Sequence, residues 1–561
     1  MRPGETGGSD TCQARLCAAS QEEDRACPES SLTHQIVTPR TDPGVIVHDI
    51  NLRKAPDWKR MPFLLLVLVL VSTARAEAVT IRSVADALDR GVVTTIAGEQ
   101  LCSNGSLPAF YRSHGFRPVW TGSSSAQLVR ALERAEEDGL RPEDYHLARV
   151  RALRTDAHRI EELDLLLTDA FLLFGSHLLN GKVDPKRLTP TWCLQPRAGD
   201  VVAALDTALE MNDVEAVLDK LRPPGTAYRE LRRMLTRYRA AAERGGWTTV
   251  GSGPAMKLGQ AGERVDRLAH RLSQTGDGAH ETWPAFFDQN MHDAVIRFQS
   301  RHGLDADGVV GPATIRALDV PIEERIEELE LNLERLRWLP DPGRRYAMIN
   351  IAAFRLWVVD EGNEVLNMRV VVGKPFQKTP VFSSEIRQVV FSPYWNIPAS
   401  IARNEIWPRA RREPGYLARE HIEIVPGGGL RQRPGPWNAL GGVKFIAPND
   451  HGVYLHDTPA KALFARSSRA FSHGCMRIER PLDFAAFLLK GDPEWTDSTM
   501  QAASTAGVER HVRISRPLPL HVLYWTAWVD VEGRLQLRDD VYGRNAALSG
   551  ALHERVGRAR P

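Results

Sequence analysis

The hydrophobic period of this chain changes once, near residue 340, and that change restricts the fold more than any other feature. Before it, apolar residues recur at helical spacing. Leu128, Ala131, Leu132 and Ala135 fall at i, i+3, i+4 and i+7, and Val265, Leu268 and Leu272 form another such stripe. After it, Ala347, Ile349 and Ile351 alternate as on one face of a strand, and Leu356–Val359, Leu366–Val372, Val389–Phe391 and Val453–Leu455 are β-prone. Asp360-Glu361-Gly362-Asn363 marks a hairpin turn. Helices do not alternate with these strands, which points to a barrel or sandwich and away from a doubly wound sheet. The expected fold is multidomain α+β, with helical modules followed by a mainly β domain. A length of 561 residues suits three to five domains. With 43% hydrophobic and 25% charged residues, the chain is not mainly disordered, collagen-like or a small disulfide scaffold. A net charge of +2 gives no electrostatic case for nucleic acid.

The N-terminal tract concerns targeting. Residues 1–60 begin with a polar, aperiodic stretch, read as disordered or not translated, with a start near Val47 or Leu52. Lys59 and Arg60 precede the apolar run Phe63–Val71, and Ala74-Arg75-Ala76 follows it. This makes 61–76 a secretory signal peptide cleaved after Ala76. The nine apolar residues fall short of the roughly 20 that span a bilayer. Export to the periplasm is expected, with a retained signal anchor as the only membrane attachment.

Residues 77–250 read as a helical scaffold. Leu163–Leu179 suits a buried helix with Gly181 as its left-handed cap, and Tyr228–Ala242 a further amphipathic helix. Residues 262–319 form a small helical unit carrying Phe298-Gln299-Ser300-Arg301-His302-Gly303-Leu304 and Asp307-Gly308-Val309-Val310-Gly311 with Thr314. This pattern resembles the three-helix peptidoglycan-binding domain of wall enzymes. A charged amphipathic helix at 322–340 reads as a connector. The β domain is placed at 346–515, with a Pro-, Gly- and Arg-rich irregular insert at 402–442 expected to act as a lid, and 516–561 as a C-terminal β segment.

Chemistry concentrates between His456 and Cys475. Cys475 closes the run Ser472-His473-Gly474-Cys475. A thiol needs a base to become a strong nucleophile at neutral pH, and His456, ending a strand, can supply one. Gly474 permits a sharp turn before the thiol, and the amides of His473, Gly474 and Cys475 could converge on an oxyanion. Tyr454 shares a strand face with His456 and either lines the pocket or packs. Arg477 either holds a substrate carboxylate or pairs with Glu479 or Asp483. Cys102 and Cys193 read as two buried thiols or a disulfide. A metal site from His451, His456, Asp457 and Cys475 lacks any strong ligand spacing.

The upstream His456 with Ser-His-Gly-Cys-x-Arg resembles the L,D-transpeptidase signature of the YkuD-type catalytic domain. The order of scaffold, peptidoglycan-binding module and catalytic domain with a capping insert is similar to the large proteobacterial members. Arg477 departs from the Asn of many smaller members. The resemblance implies Cys475 as nucleophile and His456 as base and acid, oriented by a backbone carbonyl and not by Asp457. It implies site-shaping roles for His473 and Gly474, and cleft positions for Trp395 and Asn396. It also implies inhibition by carbapenems, peptidoglycan stem peptides and glycan as partners, no cofactor, and formation of 3→3 crosslinks through a cysteine thioester. Hydrolysis through the same thioester, as carboxypeptidase or endopeptidase, and a non-catalytic wall-binding protein are the alternatives.

Overall fold

The structure is a computed structural model that describes residues 79–189, 194, 196–278 and 286–555. The targeting segment and Cys193 lie outside the described residues, and so does any pairing of Cys193 with Cys102. The described chain is multidomain α+β.

Helices build residues 81 to 243. The longest, α1 (Ile160–Asn180), is buried along most of its length. Its apolar residues run nearly all round, which suits a helix enclosed by others. Gly181 ends it with φ +87° and ψ 160°, so it is not the left-handed cap expected. Close approach demands the glycine instead: a Cβ there would meet Glu334 Oε1 at 2.5 Å. α2 (Thr226–Glu243) buries Tyr228, Leu231, Leu235 and Tyr238.

Three helices follow, α3 (Glu263–Thr275), α4 (Gln289–Arg301) and α5 (Pro312–Leu318), around a core of Leu268, Leu272, Val295, Phe298 and Leu318. Gln299 ties the module together. Its amide donates to Asp307 (2.9 Å), the Val309 carbonyl (2.9 Å) and Thr314 (3.2 Å), and its oxygen accepts from the Gly308 amide (2.9 Å). The motif's Gln, Asp and Thr are thus one hydrogen-bond cluster around the buried Gln299 amide.

The connector helix α6 (Ile322–Arg337) is no exposed spacer. Arg337 is fully buried and bonds Glu334, the Asp138 carbonyl and the Tyr228 hydroxyl. On the same helix, Asn332 exchanges hydrogen bonds with Thr526 of the C-terminal segment. The sequence shows only a charged connector because these partners are supplied from far along the chain.

The β domain begins with β1 (Tyr346–Asn350), β2 (Arg355–Asp360), β3 (Asn363–Gly373) and β4 (Phe382–Phe391). Next comes the insert, with β5 (Trp395–Ile397), β6 (Ile422–Ile424) and β7 (Leu430–Gln432). After it come β8 (Val443–Ile446), β9 (Leu455–His456), β10 (Ala470–Ser472), β11 (Met476–Ile478) and β12 (Arg510–Leu523). The main sheet runs β10-β3-β11-β9-β8-β4-β12-β1-β2, and β2 also pairs with β3, which closes the sheet into a barrel. Closure leaves only the short β10, which pairs with β3 alone, at an edge. β12 passes unbroken through position 515, pairing with β4 and in parallel with β1, so the sheet does not end where the C-terminal segment was expected to begin.

The insert is not irregular. β5, β7 and β6 form a three-stranded sheet beside short helices, over a core of Ile397, Ala402, Ile406, Tyr416, Ile422 and Leu430. Its prolines and glycines mark turns between elements too short to show a period.

Candidate functional site: a thiol–imidazole pair on the barrel

β9 and β11 lie side by side in parallel, with Leu455 opposite Met476 and His456 opposite Arg477. One step back, the Met476 amide donates to the Tyr454 carbonyl at 3.0 Å. Residues in register, and residues two apart on one strand, share a face. Tyr454, His456, Cys475 and Arg477 therefore stand together. The neighbouring β8 adds Lys444, directly opposite His456.

The imidazole of His456 is 4% exposed, and its Nδ1 lies 2.5 Å from the Asp457 carbonyl oxygen. A carbonyl only accepts, so Nδ1 carries the proton and Nε2 keeps a lone pair. Burial, and then the Arg477 charge, push the imidazole pKa down to about 3, although the Asp457 and Leu440 carbonyls favour the charged form. The Asp457 carboxylate is engaged elsewhere, by Lys461 and by the Gly442 amide (2.9 Å).

Burial raises the Cys475 thiol above its ordinary value. The Tyr454 backbone N–H, the Lys444 charge, the Tyr454 hydroxyl and Arg477 all oppose that rise. The resting pair is thus a neutral thiol beside a neutral imidazole. The Tyr454 hydroxyl also bonds the Trp395 side chain, and burial pushes the phenol well above its usual range. An indole N–H only donates, so Tyr454 accepts from Trp395 and donates to sulfur. Asn396, next along β5, is exposed on the opposite face and is not brought to the thiol.

The turn before the thiol is tightly held. Gly474 has φ +116°, a region where other residues are strained. Its amide donates to Ser472 Oγ (3.1 Å), so it is not free for an oxyanion, contrary to expectation; Ser472 Oγ in turn donates to the Cys475 carbonyl (2.6 Å). The Gly474 carbonyl accepts from Thr379 Oγ1 (2.9 Å). Tyr542 of the C-terminal segment receives the Thr379 amide (3.1 Å) and donates to Gly373 (2.7 Å). His473 Nε2 meets Glu405 of the insert at 2.5 Å. Glu405 rides on a π-helical turn, Ala402–Ile406, a feature that recurs at functional sites.

Arg477 makes neither of the two ion pairs envisaged. Glu479 faces Arg369 and Asp483 faces Arg480, while the buried Nε of Arg477 has no partner. Sequence reading passed over Lys444, Glu405, Thr379 and Tyr542, and named Ser472 in the motif without giving it a role. Only Lys444 left a signal, as a lone charge within the otherwise apolar Val443–Ile446. Among the described residues no group of three or more His, Cys, Asp or Glu is placed to hold a metal ion. A cavity of about 1310 Å³, lined by Trp247, Arg301, Trp357 and Trp528 among others, includes none of these site residues.

Fold and residue pair together define a thiol–imidazole site on a closed β-barrel. Residues 344–495 match the L,D-transpeptidase catalytic domain, YkuD. Residues 261–318 match a family described as "Putative peptidoglycan binding domain", and 105–235 a scaffold domain. A Haemophilus influenzae protein named "Putative L,D-transpeptidase" is 30% identical over 243 residues, covering 40% of this chain and 49% of that protein. The chain thus spans about half the length of this curated relative. Among solved structures, an L,D-transpeptidase from Mycobacterium smegmatis is 18% identical over 32% of this chain and 58% of its own, with a TM-score of 0.18. Another from Stackebrandtia nassauensis is 13% identical over 49% of this chain and 96% of its own, with a TM-score of 0.21. The chain carries a YkuD L,D-transpeptidase catalytic domain together with a peptidoglycan-binding domain.

Proposed function

We propose that this protein is a peptidoglycan L,D-transpeptidase that forms 3→3 crosslinks through a thioester on Cys475. The observation that carries the reading is the buried, neutral His456 on the same sheet face as the Cys475 thiol, within the matched catalytic domain. His456 Nε2 takes the thiol proton as sulfur attacks the carbonyl between the diamino acid at stem position three and the D-Ala at position four. The carbonyl oxygen gains negative charge, for which the His473 and Cys475 amides remain candidate donors. As the C–N bond breaks, the imidazolium returns its proton to the departing D-Ala amine. A side-chain amine of a second stem then attacks the thioester, loses a proton to His456, and releases the thiol.

Burial supports proton transfer in step with attack and not a standing thiolate, since both partners are shifted toward their neutral forms. Hydrolysis differs only in the nucleophile that reaches the thioester. Mass spectrometry of products from a purified disaccharide-tetrapeptide tests the reading. A dimer that has lost one D-Ala is expected; tripeptide monomer alone would make the protein a carboxypeptidase. We further propose that the reaction takes place in the periplasm, as Phe63–Val71 followed by Ala74-Arg75-Ala76 suggests. A fusion of residues 1–80 to a reporter that works only after export should be active.

A further inference from the structure

Lys444 has no role in the chemistry above, yet it stands in the same row of side chains. Its strand reads Val-Lys-Phe-Ile, and Val443 and Phe445 are buried on the other face. Lys444 itself lies opposite His456, with its Nζ 3.9 Å from the centre of the Tyr454 ring, whose hydroxyl bonds the Cys475 sulfur. Among the described residues no hydrogen-bond acceptor or carboxylate lies within bonding distance of that ammonium. Glu509, an acid whose charge acts on it, is occupied by the Tyr394 amide (2.8 Å) and by His511 (3.4 Å). Asp457 is taken by Lys461 and the Gly442 amide.

Some buried cations elsewhere are held by backbone carbonyls, as Arg271 and Arg469 are, and others are matched by an anion. Lys182 pairs with Asp144, Arg222 with Asp138 and Arg301 with Asp277. Desolvating a cation without an anion is costly, so two unmatched cations, Lys444 and Arg477, beside one thiol call for an anion from outside. Both flank His456 in register, on β8 and β11, so the row spans two strand spacings, roughly 10 Å. A carboxylate on the residue that follows the scissile bond lies roughly one residue length, about 3.5 Å, from the reacting carbonyl, within that span.

We propose that Lys444 is a specificity-determining residue that, together with Arg477, seats the free C-terminal carboxylate of the acyl donor one residue past the scissile bond. The inference rests on the acyl-transfer reading of Cys475 and deepens it. The compact ammonium supplies charge, while the guanidinium fork supplies orientation. Donors whose terminus is blocked leave both cations unmatched and are rejected.

The test compares two stem peptides that differ only at the terminus, one ending in D-Ala with a free carboxylate and one in the D-Ala carboxamide. Acylation of Cys475 in the full chain is followed by intact mass and kcat/KM. The wild-type chain should prefer the acid by about 10–100-fold, the worth of a charged hydrogen bond. Lys444→Met should bring the acid-to-amide ratio down toward the value set by Arg477 alone, and Lys444→Arg should restore most of it. Because the ratio is internal to each variant, partial loss of folded protein cancels. A wild-type ratio near one, or an unchanged ratio in Lys444→Met, would overturn the proposal. A wild-type chain inert to both donors would overturn the acyl-transfer reading and this inference with it.

Discussion

Cys102 in the helical scaffold and Cys475 on the barrel are both raised by burial, yet the charges around them act on the two thiols in opposite senses. The Cys102 and Ser103 amides donate to the Asp169 carboxylate, and His146 Nε2 meets the same carboxylate at 2.8 Å. Burial, then the negative charges of Asp169, Asp144 and Glu99, push the Cys102 thiol up to about 12. Burial lowers His146, but its bonds to Asp169 and Glu99 outweigh that and leave its pKa raised. At Cys475 burial also raises the thiol, but the neighbouring charges are the cations Lys444 and Arg477, and the histidine is held by a carbonyl. A carboxylate beside the pair makes a structural clasp. Cations without anions make a site that is incomplete until a ligand arrives.

The sharpest break between the two regions should come from the thiols themselves. Cys475→Ala should abolish crosslinking, and Cys475→Ser should be nearly inactive because a hydroxyl is much less acidic. Cys102→Ala should keep close to wild-type turnover, as measured on the disaccharide-tetrapeptide. Next in size are the histidines. His456→Gln should lower the acylation rate by about 10²–10⁴-fold, the usual worth of a positioned base. Its residual rate should keep climbing with pH beyond the ordinary thiol range, since burial holds the Cys475 pKa above it. His146→Gln should leave the rate alone and cost stability, about 3 kcal/mol for a broken buried pair, in denaturant titrations.

The pH dependence of stability sharpens the contrast. His146 has a raised folded pKa, so its contribution is fully present below about 6.5, the unfolded value, and is lost as pH rises through the folded one. His456 has a folded pKa lowered to about 3, so it costs nothing well above the unfolded value of about 6.5. Its penalty builds as pH falls from there toward 3. His456→Gln should flatten the acid limb of the stability curve, and His146→Gln the neutral-to-alkaline limb; equal effects on both limbs would erase the distinction. The smallest expected effect is at the insert. Glu405→Gln keeps a hydrogen bond to His473 but removes the charge, and should lower kcat by about tenfold or less with little change in melting temperature.

How much of this was legible in the sequence follows from how local each signal is. Ser472 to Cys475 are contiguous, and Tyr454 and His456 are two apart, so the period-two rule was enough to place them on one face. Lys444 was missed because β8 is four residues long and sits just after Gly441-Gly442, too brief to register as a strand. Glu405 was hidden in a tract whose Pro, Gly and Arg content read as loop. Its small core is assembled from single apolar residues brought together by three strands and short helices. α6 read only as a charged connector because Asp138, Tyr228 and Thr526 are about 100 to 200 residues away from the side chains they satisfy. The expected division at 515 falls beside Arg516-Pro517-Leu518-Pro519, where β12 shifts register between Arg513 and Leu518 yet continues along β4. Interactions within a few residues were readable, and those closed by the fold were not.

The central claim is that surroundings, not residue identity, make one thiol a nucleophile and the other inert. Treating the full-length chain with a carbapenem and mapping the adduct by peptide mass spectrometry tests it most directly. The account predicts a single adduct, on the peptide containing Cys475, with Cys102 unmodified. An adduct on Cys102, or modification that persists in Cys475→Ala, would contradict it.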